Sequence, residues 1–221
     1  MAYTFNGNPI QNVSLNFPRG GIWTARGKLA GDKFYAVGDA VTIVVGDLTL
    51  KGTVRQGSVF QSSAEYIVVG GKDGWSKQIT NRHYRTDAGV KLSLVWSDLG
   101  KDAGETVVLQ AGTERSLGYS WNRAAGTASE ALAALSTRWW VAADGTTFLG
   151  DRLETKIPET IKWTLQSYDP QNKTAVLGVD NDNIKAFQPG VRLTTKDLDI
   201  VARSVRATVT DRRVVVEVMA F

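Results

Sequence analysis

The sequence predicts a mainly β protein with minor α content, and three observations predict it. Val, Thr, Gly and Trp are plentiful, while helix formers do not dominate. Most apolar residues fall in short alternating runs that end in turn dipeptides such as Gly-Asp, Asp-Gly, Asp-Pro and Pro-Gly. Only two stretches carry apolar residues at a helical period. The 221 residues suffice for one large domain or two small ones, each with a real core. The pattern divides into an N-terminal β barrel or sandwich over 1–85, a short helix–hairpin segment over 86–150 and a small OB-like β barrel over 151–221.

In chain order, residues 1–16 are polar and weakly patterned, compatible with a first strand or with an arm that orders on a partner. Pro18, Gly20 and Gly21 then punctuate the chain before the apolar pair Ile22 and Trp23. Val41, Ile43 and Val45 alternate along one face of a strand, Gly46-Asp47 turns, and Leu48, Leu50 and Val54 return, with Gly52 interrupting the pattern. A strand over 64–69 ends at Gly70-Gly71, and Lys72-Asp73-Gly74 leads to Trp75.

The stretch 86–100 predicts a helix capped by Asp87. Ala88, Leu92, Val95 and Leu99 share one face, and Gly100 stands where a terminating glycine belongs. Short strands are predicted over 105–110 and 117–123. Thr127 and Glu130 have the spacing of a capping box, in which hydroxyl and carboxylate each take an orphan backbone N–H. Ala128, Leu132, Leu135 and Trp139 follow at helical spacing. Asp144-Gly145 signals a hairpin between Trp139-Trp140-Val141 and Thr146–Leu149. Beyond Gly150, strands are predicted over 160–168, 175–179, 200–209 and 214–218. Asp169-Pro170-Gln171-Asn172 and Asp180-Asn181-Asp182-Asn183 form turns between them.

The chemistry-bearing inventory is thin. The chain has no Cys, so disulfides, thiolate metal sites and a Cys nucleophile are excluded. His83 is the one histidine, and no nucleophile-elbow motif accompanies it. The run 180–183 opens like a calcium loop, but Ile184 and Lys185 stand where further ligands belong. Neither Gly-Gly pair continues into a phosphate-loop motif. No metal, cofactor or catalytic residue is therefore predicted, and the chain is read as no enzyme. The N-terminus has no secretory-signal pattern, and no apolar run is long enough to span a bilayer. The net charge of +4 comes from 26 basic and 22 acidic residues that are interspersed, which describes a mildly positive surface better than a nucleic-acid stripe. Seven Trp are many for this length. Core packing is the default role, and Trp23, Trp75, Trp139 and Trp140, with Val41 and Ile43, are the candidate interaction residues.

Four stretches in order carry a resemblance: PRGGIWTARGKLAGDKFYAVGDAVTIVVGDLTLKGTV, EYIVVGGKDGWSKQI, AGTASEALAALSTRWWVAADGTTFLG and FQPGVRLTTKDLDIVARSVRATVTDRRVVVEV. The first three together resemble the baseplate hub (tail-associated) proteins of tailed bacteriophages, and the fourth is similar to the small barrel of hub and spike-adjacent proteins. The resemblance implies a ring, usually a homotrimer, at the virion tail tip, assembled in the host cytoplasm. Such a ring contacts the tail tube, distal tail protein and tape measure, and carries a spike or fibre. A ring needs sheet edges or apolar strips that pair between copies, and the Val41–Val54 hairpin is the candidate edge. Two rival classes remain. One is a single-stranded nucleic-acid or carbohydrate-binding OB-like module, which Arg203, Arg206, Arg212 and Arg213 would serve. The other is a tail-associated cell-wall hydrolase, which would need paired carboxylates that no spacing singles out.

Overall fold

The computed structural model describes residues 3–31, 33–60, 62–196, 198–210 and 214–220. The first β tract comprises β1 (Thr4–Phe5), β2 (Asn8–Pro18), β3 (Thr24–Ala30), β4 (Ala40–Val45), β5 (Leu48–Phe60) and β6 (Ser63–Gly70). Hydrogen bonding runs β1-β4-β5-β6-β3-β2 and returns from β2 to β1, so these six strands close into a barrel. The predicted hairpin is present as β4–β5, with Val45 paired to Leu48 across Gly46-Asp47. Residues 3–16 are not an arm. From Thr4 onward they supply β1 and most of β2, and Val13, Leu15 and Phe17 face the core while Asn12, Ser14 and Asn16 face away.

The middle segment holds β7 (Gln78–Ile79), β8 (Arg82–Arg85), α1 (Leu92–Ala103), β9 (Val107–Leu109), β10 (Ser120–Arg123), β11 (Gly126–Thr127), α2 (Ala128–Leu135), β12 (Trp139–Val141) and β13 (Thr147–Leu149). The first predicted helix is displaced. Gly89 sits at φ +86°, which a continuing helix does not allow, so α1 begins only at Leu92. Gly100 lies inside the helix, where a Cβ would collide with the Val107 side chain. Gly104, at φ +79°, is the left-handed terminator, and its N–H bonds back to Gly100 O and Lys101 O. The capping box of α2 forms as predicted, with Glu130 N donating to Thr127 Oγ1 at 3.2 Å and Thr127 N to Glu130 Oε2 at 2.7 Å. The helix stops at Leu135, and Trp139 pairs with Leu149 as part of a strand. The two helices, Trp75 and Trp96 form a second core, with the two indoles stacked at 5.6 Å and 4° between planes.

The last tract comprises β14 (Thr155–Lys156), β15 (Trp163–Asp169), β16 (Thr174–Val179), β17 (Val191–Thr194), β18 (Asp199–Thr210) and β19 (Val214–Ala220). It does not stand apart as a separate small barrel. Strand β18 pairs with β19 and also with β2, so the sheet continues from the barrel through β2-β18-β19-β16 to β15. One main core gathers residues from both tracts. Registered neighbours Val54, Val68, Ala25, Leu15, Ala207, Val216 and Leu177 form one buried apolar row across these strands.

The β4–β5 turn rests on the 3-10 turn Asn181–Ala186, where Lys185 N donates to Asp47 Oδ1 at 3.0 Å. Gly46 takes φ +59°, and a Cβ there would overlap the Asn181 carbonyl. Gly46→Ala is therefore expected to cost about 2 kcal/mol or more, read as a lower urea midpoint at unchanged slope. The hydrogen bonds from Thr127 hold the Glu130 carboxyl below its ordinary pKa. A depressed folded pKa gives stability that is present above the unfolded pKa and lost as pH falls through the folded one. The melting-temperature gap between wild type and Glu130→Ala should thus be widest near neutral pH and shrink on acidification through the carboxylate range.

Candidate interaction surfaces

Four of the residues proposed as contacts are core residues. Trp23 and Trp75 are each 1% exposed, Ile43 1% and Val41 3%. The expectation that they face other subunits is corrected: the alternation of Val41 and Ile43 points them inward, and the large indoles of Trp23 and Trp75 fill the two cores. Trp23 donates from Nε1 to Ala142 O at 2.8 Å, tying the β12–β13 hairpin to the barrel. Gly52 and Gly70 leave room for its indole, since a Cβ at either would collide with it. Trp75 donates to Thr147 Oγ1 at 3.0 Å inside the second core. The β4–β5 hairpin offers no free edge of the kind expected, because β4 lies between β1 and β5, and β5 between β4 and β6.

Trp139 and Trp140 are half-buried at the seam between barrel and middle segment. Gly21 N donates to Trp139 O at 2.7 Å and Val141 N to Gly21 O at 3.0 Å, so this strand is stitched to the barrel. Trp139 turns towards Trp75, with ring centroids 6.0 Å apart. Trp140 stacks on Phe148 at 4.6 Å, and the Arg152 guanidinium lies 4.2 Å from its ring centroid. Burial lowers the Arg152 pKa to about 10, and the charge of Arg19 adds to the effect. No local pattern in the sequence marks Arg152, because its environment is assembled from segments far apart in the chain.

Strand β15 carries an open edge of the sheet. Among the described residues it is hydrogen-bonded to β16 alone, and Leu165, opposite Leu177 of the apolar row, remains 38% exposed. Trp163 and Tyr168 are half-buried against the main core. The alternation of Ile161, Trp163 and Leu165 reveals a strand in the sequence, but nothing local says that it is last in its sheet.

His83 is exposed on β8, opposite Asn122. Arg203 and Arg206 are exposed on β18, where Arg206 faces Glu217 at 3.8 Å, and Arg212 and Arg213 lie outside the described residues. Among the described residues no cluster of three or more His, Asp or Glu is placed to hold a metal, and no helix is long and apolar enough to cross a membrane.

With the closed barrel and its extended sheet in place, the fold can be compared with solved structures. The 43 kDa tail protein of prophage MuSo2 from Shewanella oneidensis superposes with a TM-score of 0.67 at 11% identity, covering 96% of this chain and 93% of that one. A tail protein from Neisseria meningitidis MC58 gives 0.67 at 12% identity, covering 100% and 96%. The chain shares its fold with phage tail proteins. An Escherichia coli component of the type VI secretion system, described as structurally similar to the T4 bacteriophage tail proteins gp27 and gp5, gives 0.59 at 10% identity, covering 100% and 77%. No family model and no curated protein sequence matches the chain.

The placement of the tryptophans predicts unequal costs of truncation. Trp75→Ala should lose about 3–5 kcal/mol, since a stacked and hydrogen-bonded core indole is removed. Leu165→Ala, at the open edge, should lose well under half of that. Urea titration of both variants checks the contrast.

Proposed function

We propose that this chain is a structural component of a phage tail tip, of the baseplate-hub type, acting by assembly and not by catalysis. The observation that carries the reading is the fold shared along nearly the whole chain with phage tail proteins, at 96% and 100% coverage. A neighbour in the type VI secretion system, itself described as similar to gp27 and gp5, supports the same class of role. In this reading copies form a closed ring, a homotrimer, that joins the tail tube to spike or fibre proteins and meets the distal tail protein and tape measure. The ring sits at the tail tip of the virion and is put together in the host cytoplasm.

A ring of identical copies needs a surface that pairs without continuing indefinitely. Strand β15 supplies one: an unpaired row of backbone groups, with Leu165 exposed at the end of the apolar row. The register shift between Leu165 and Ser167 bends the strand and limits how far a second copy's strand can follow it. Light scattering at micromolar concentration should return a trimer mass, and negative-stain electron microscopy a ring. Leu165→Asp should shift the mass towards the monomer while leaving the melting temperature of the monomer unchanged. A wild-type monomer at micromolar concentration would refute the ring, and an unaltered mass for Leu165→Asp would place the contact elsewhere.

A further inference from the structure

A cleft of about 660 Å³ opens where the β4–β5 turn, the β12–β13 hairpin and the loops on either side of β14 meet. Its walls are largely apolar, with Leu48, Ala143, Leu153, Pro158, Ile161 and Pro189 among them. Leu153 stands 78% exposed at the lip. Into this apolar setting the fold places a cation. Arg152 is 9% exposed and lines the cleft. Its Nη2 reaches the Val141 carbonyl at 3.4 Å, while its Nε and Nη1 are buried and meet no acceptor among the described residues. Arg123, similarly buried, has the carboxylate of Asp102 at 2.6 Å. Arg152 takes part in no ion pair among the described residues.

Two further groups at the same cleft share this condition. Trp140 Nε1 and Gln188 Nε2 are buried and likewise without an acceptor among the described residues. The acidic group on the lining, Asp47, accepts a backbone bond from Lys185 N at 3.0 Å. Lys156 and Lys185 add positive charge to the lining. The cleft is therefore lined by apolar walls and by three side chains whose buried donors lack acceptors among the described residues, one of them a guanidinium. Removing such donors from water without acceptors is costly, so the arrangement points to a ligand that brings acceptors with it.

We propose that this cleft binds an extended peptide segment of another protein that carries an acidic side chain, with the carboxylate received by Arg152. A peptide fits both halves of the requirement. Its carboxylate supplies the missing counter-charge to a guanidinium, and its side chains supply apolar surface for the walls. Apolar side chains flanking the acid would lie against Leu48, Pro158 and Ile161. A heavily hydrated phosphate would leave those walls unused. The inference stands independently of the tail reading, since it rests on the donors and walls of the cleft alone.

The test uses the full chain and an array of capped hexapeptides. One central position is fixed as Glu or Gln, and the flanks vary over Leu, Val, Phe and Pro. Retained peptides are titrated by tryptophan fluorescence, with Trp140 as the local reporter. The expected result is selective retention of Glu peptides, at least tenfold weaker binding of their Gln counterparts, and loss of binding by Arg152→Met. The free Arg152→Met chain should melt at or above the wild-type temperature, because an uncompensated buried charge has been removed. Four results would each overturn the proposal: no peptide retained, equal binding of Glu and Gln peptides, competition by millimolar inorganic phosphate, or a marked loss of stability in free Arg152→Met. A fall in oligomer mass for Arg152→Met would also overturn it, by assigning the cleft to a second copy.

Discussion

Strand β2 is hydrogen-bonded to β1, β3 and β18, and the rest of the β structure depends on it. Through β1 and β3 it closes the barrel, and through β18 it passes the sheet on to the end of the chain. Leu15 lies in the middle of the buried row, between Ala25 on one side and Ala207 on the other. A slip of one residue would turn Val13, Leu15 and Phe17 outwards together and put Asn12, Ser14 and Asn16 into the core. Each large apolar side chain kept inside contributes about 1.5–3 kcal/mol by its burial, so the register of β2 is strongly specified on both sides at once. This is also why the terminal tract does not close on itself: an edge of β18 that a self-contained barrel would keep is taken by β2.

The middle segment is a second body of packing held to the first by a few directed contacts. Gly21 pairs with Trp140 across a parallel bridge, Lys51 N donates to Ala143 O at 2.7 Å, and the Trp23 indole reaches Ala142. On the far side, the buried carboxylate of Glu105 accepts from Gly74 N at 2.6 Å and from Lys72 N at 3.0 Å, fixing the loop that delivers Trp75 to the helices. Helix and hairpin therefore cannot move on the barrel without exposing buried donors. Two surfaces stay open in this arrangement: an edge of the sheet at β15, and the cleft at the seam beside Arg152.

Much of the local structure was legible because its cause is local. The Gly46-Asp47 and Asp144-Gly145 turns and the Thr127–Glu130 capping box each rest on a few adjacent residues and form where the sequence places them, while the strand predicted over 160–168 begins only at Trp163, after a turn that Ile161 N closes on Pro158 O. The first helix was displaced because Gly100 serves packing, not termination: Val107 presses against it from another element. Residues 8–18 were the hardest to read, since Asn and Ser on the outward face dilute an alternation that is nonetheless complete on the inward one. Of the candidate contacts, Val41 and Ile43 stand out by an apolar alternation and Trp23 and Trp75 by the size of the indole, and both are signals of burial as much as of contact. Arg152 and Gln188 carry no such signal.

The sequence by itself determined the class of structure, most strand positions, the turns and the second helix, because these follow from backbone preferences and from periods of two or 3.6 residues. Tertiary structure alone decided which strands became neighbours, that β2 would serve both tracts, that β15 was left at an edge, and that an arginine would be buried beside Trp140 with no carboxylate partner among the described residues. The joining of the two tracts depends on contacts between residues more than a hundred positions apart, as when Val13, Leu15 and Phe17 meet Val209, Ala207 and Val205. A local pattern says which face of a strand is apolar, but only closure of the whole sheet says what that face will meet.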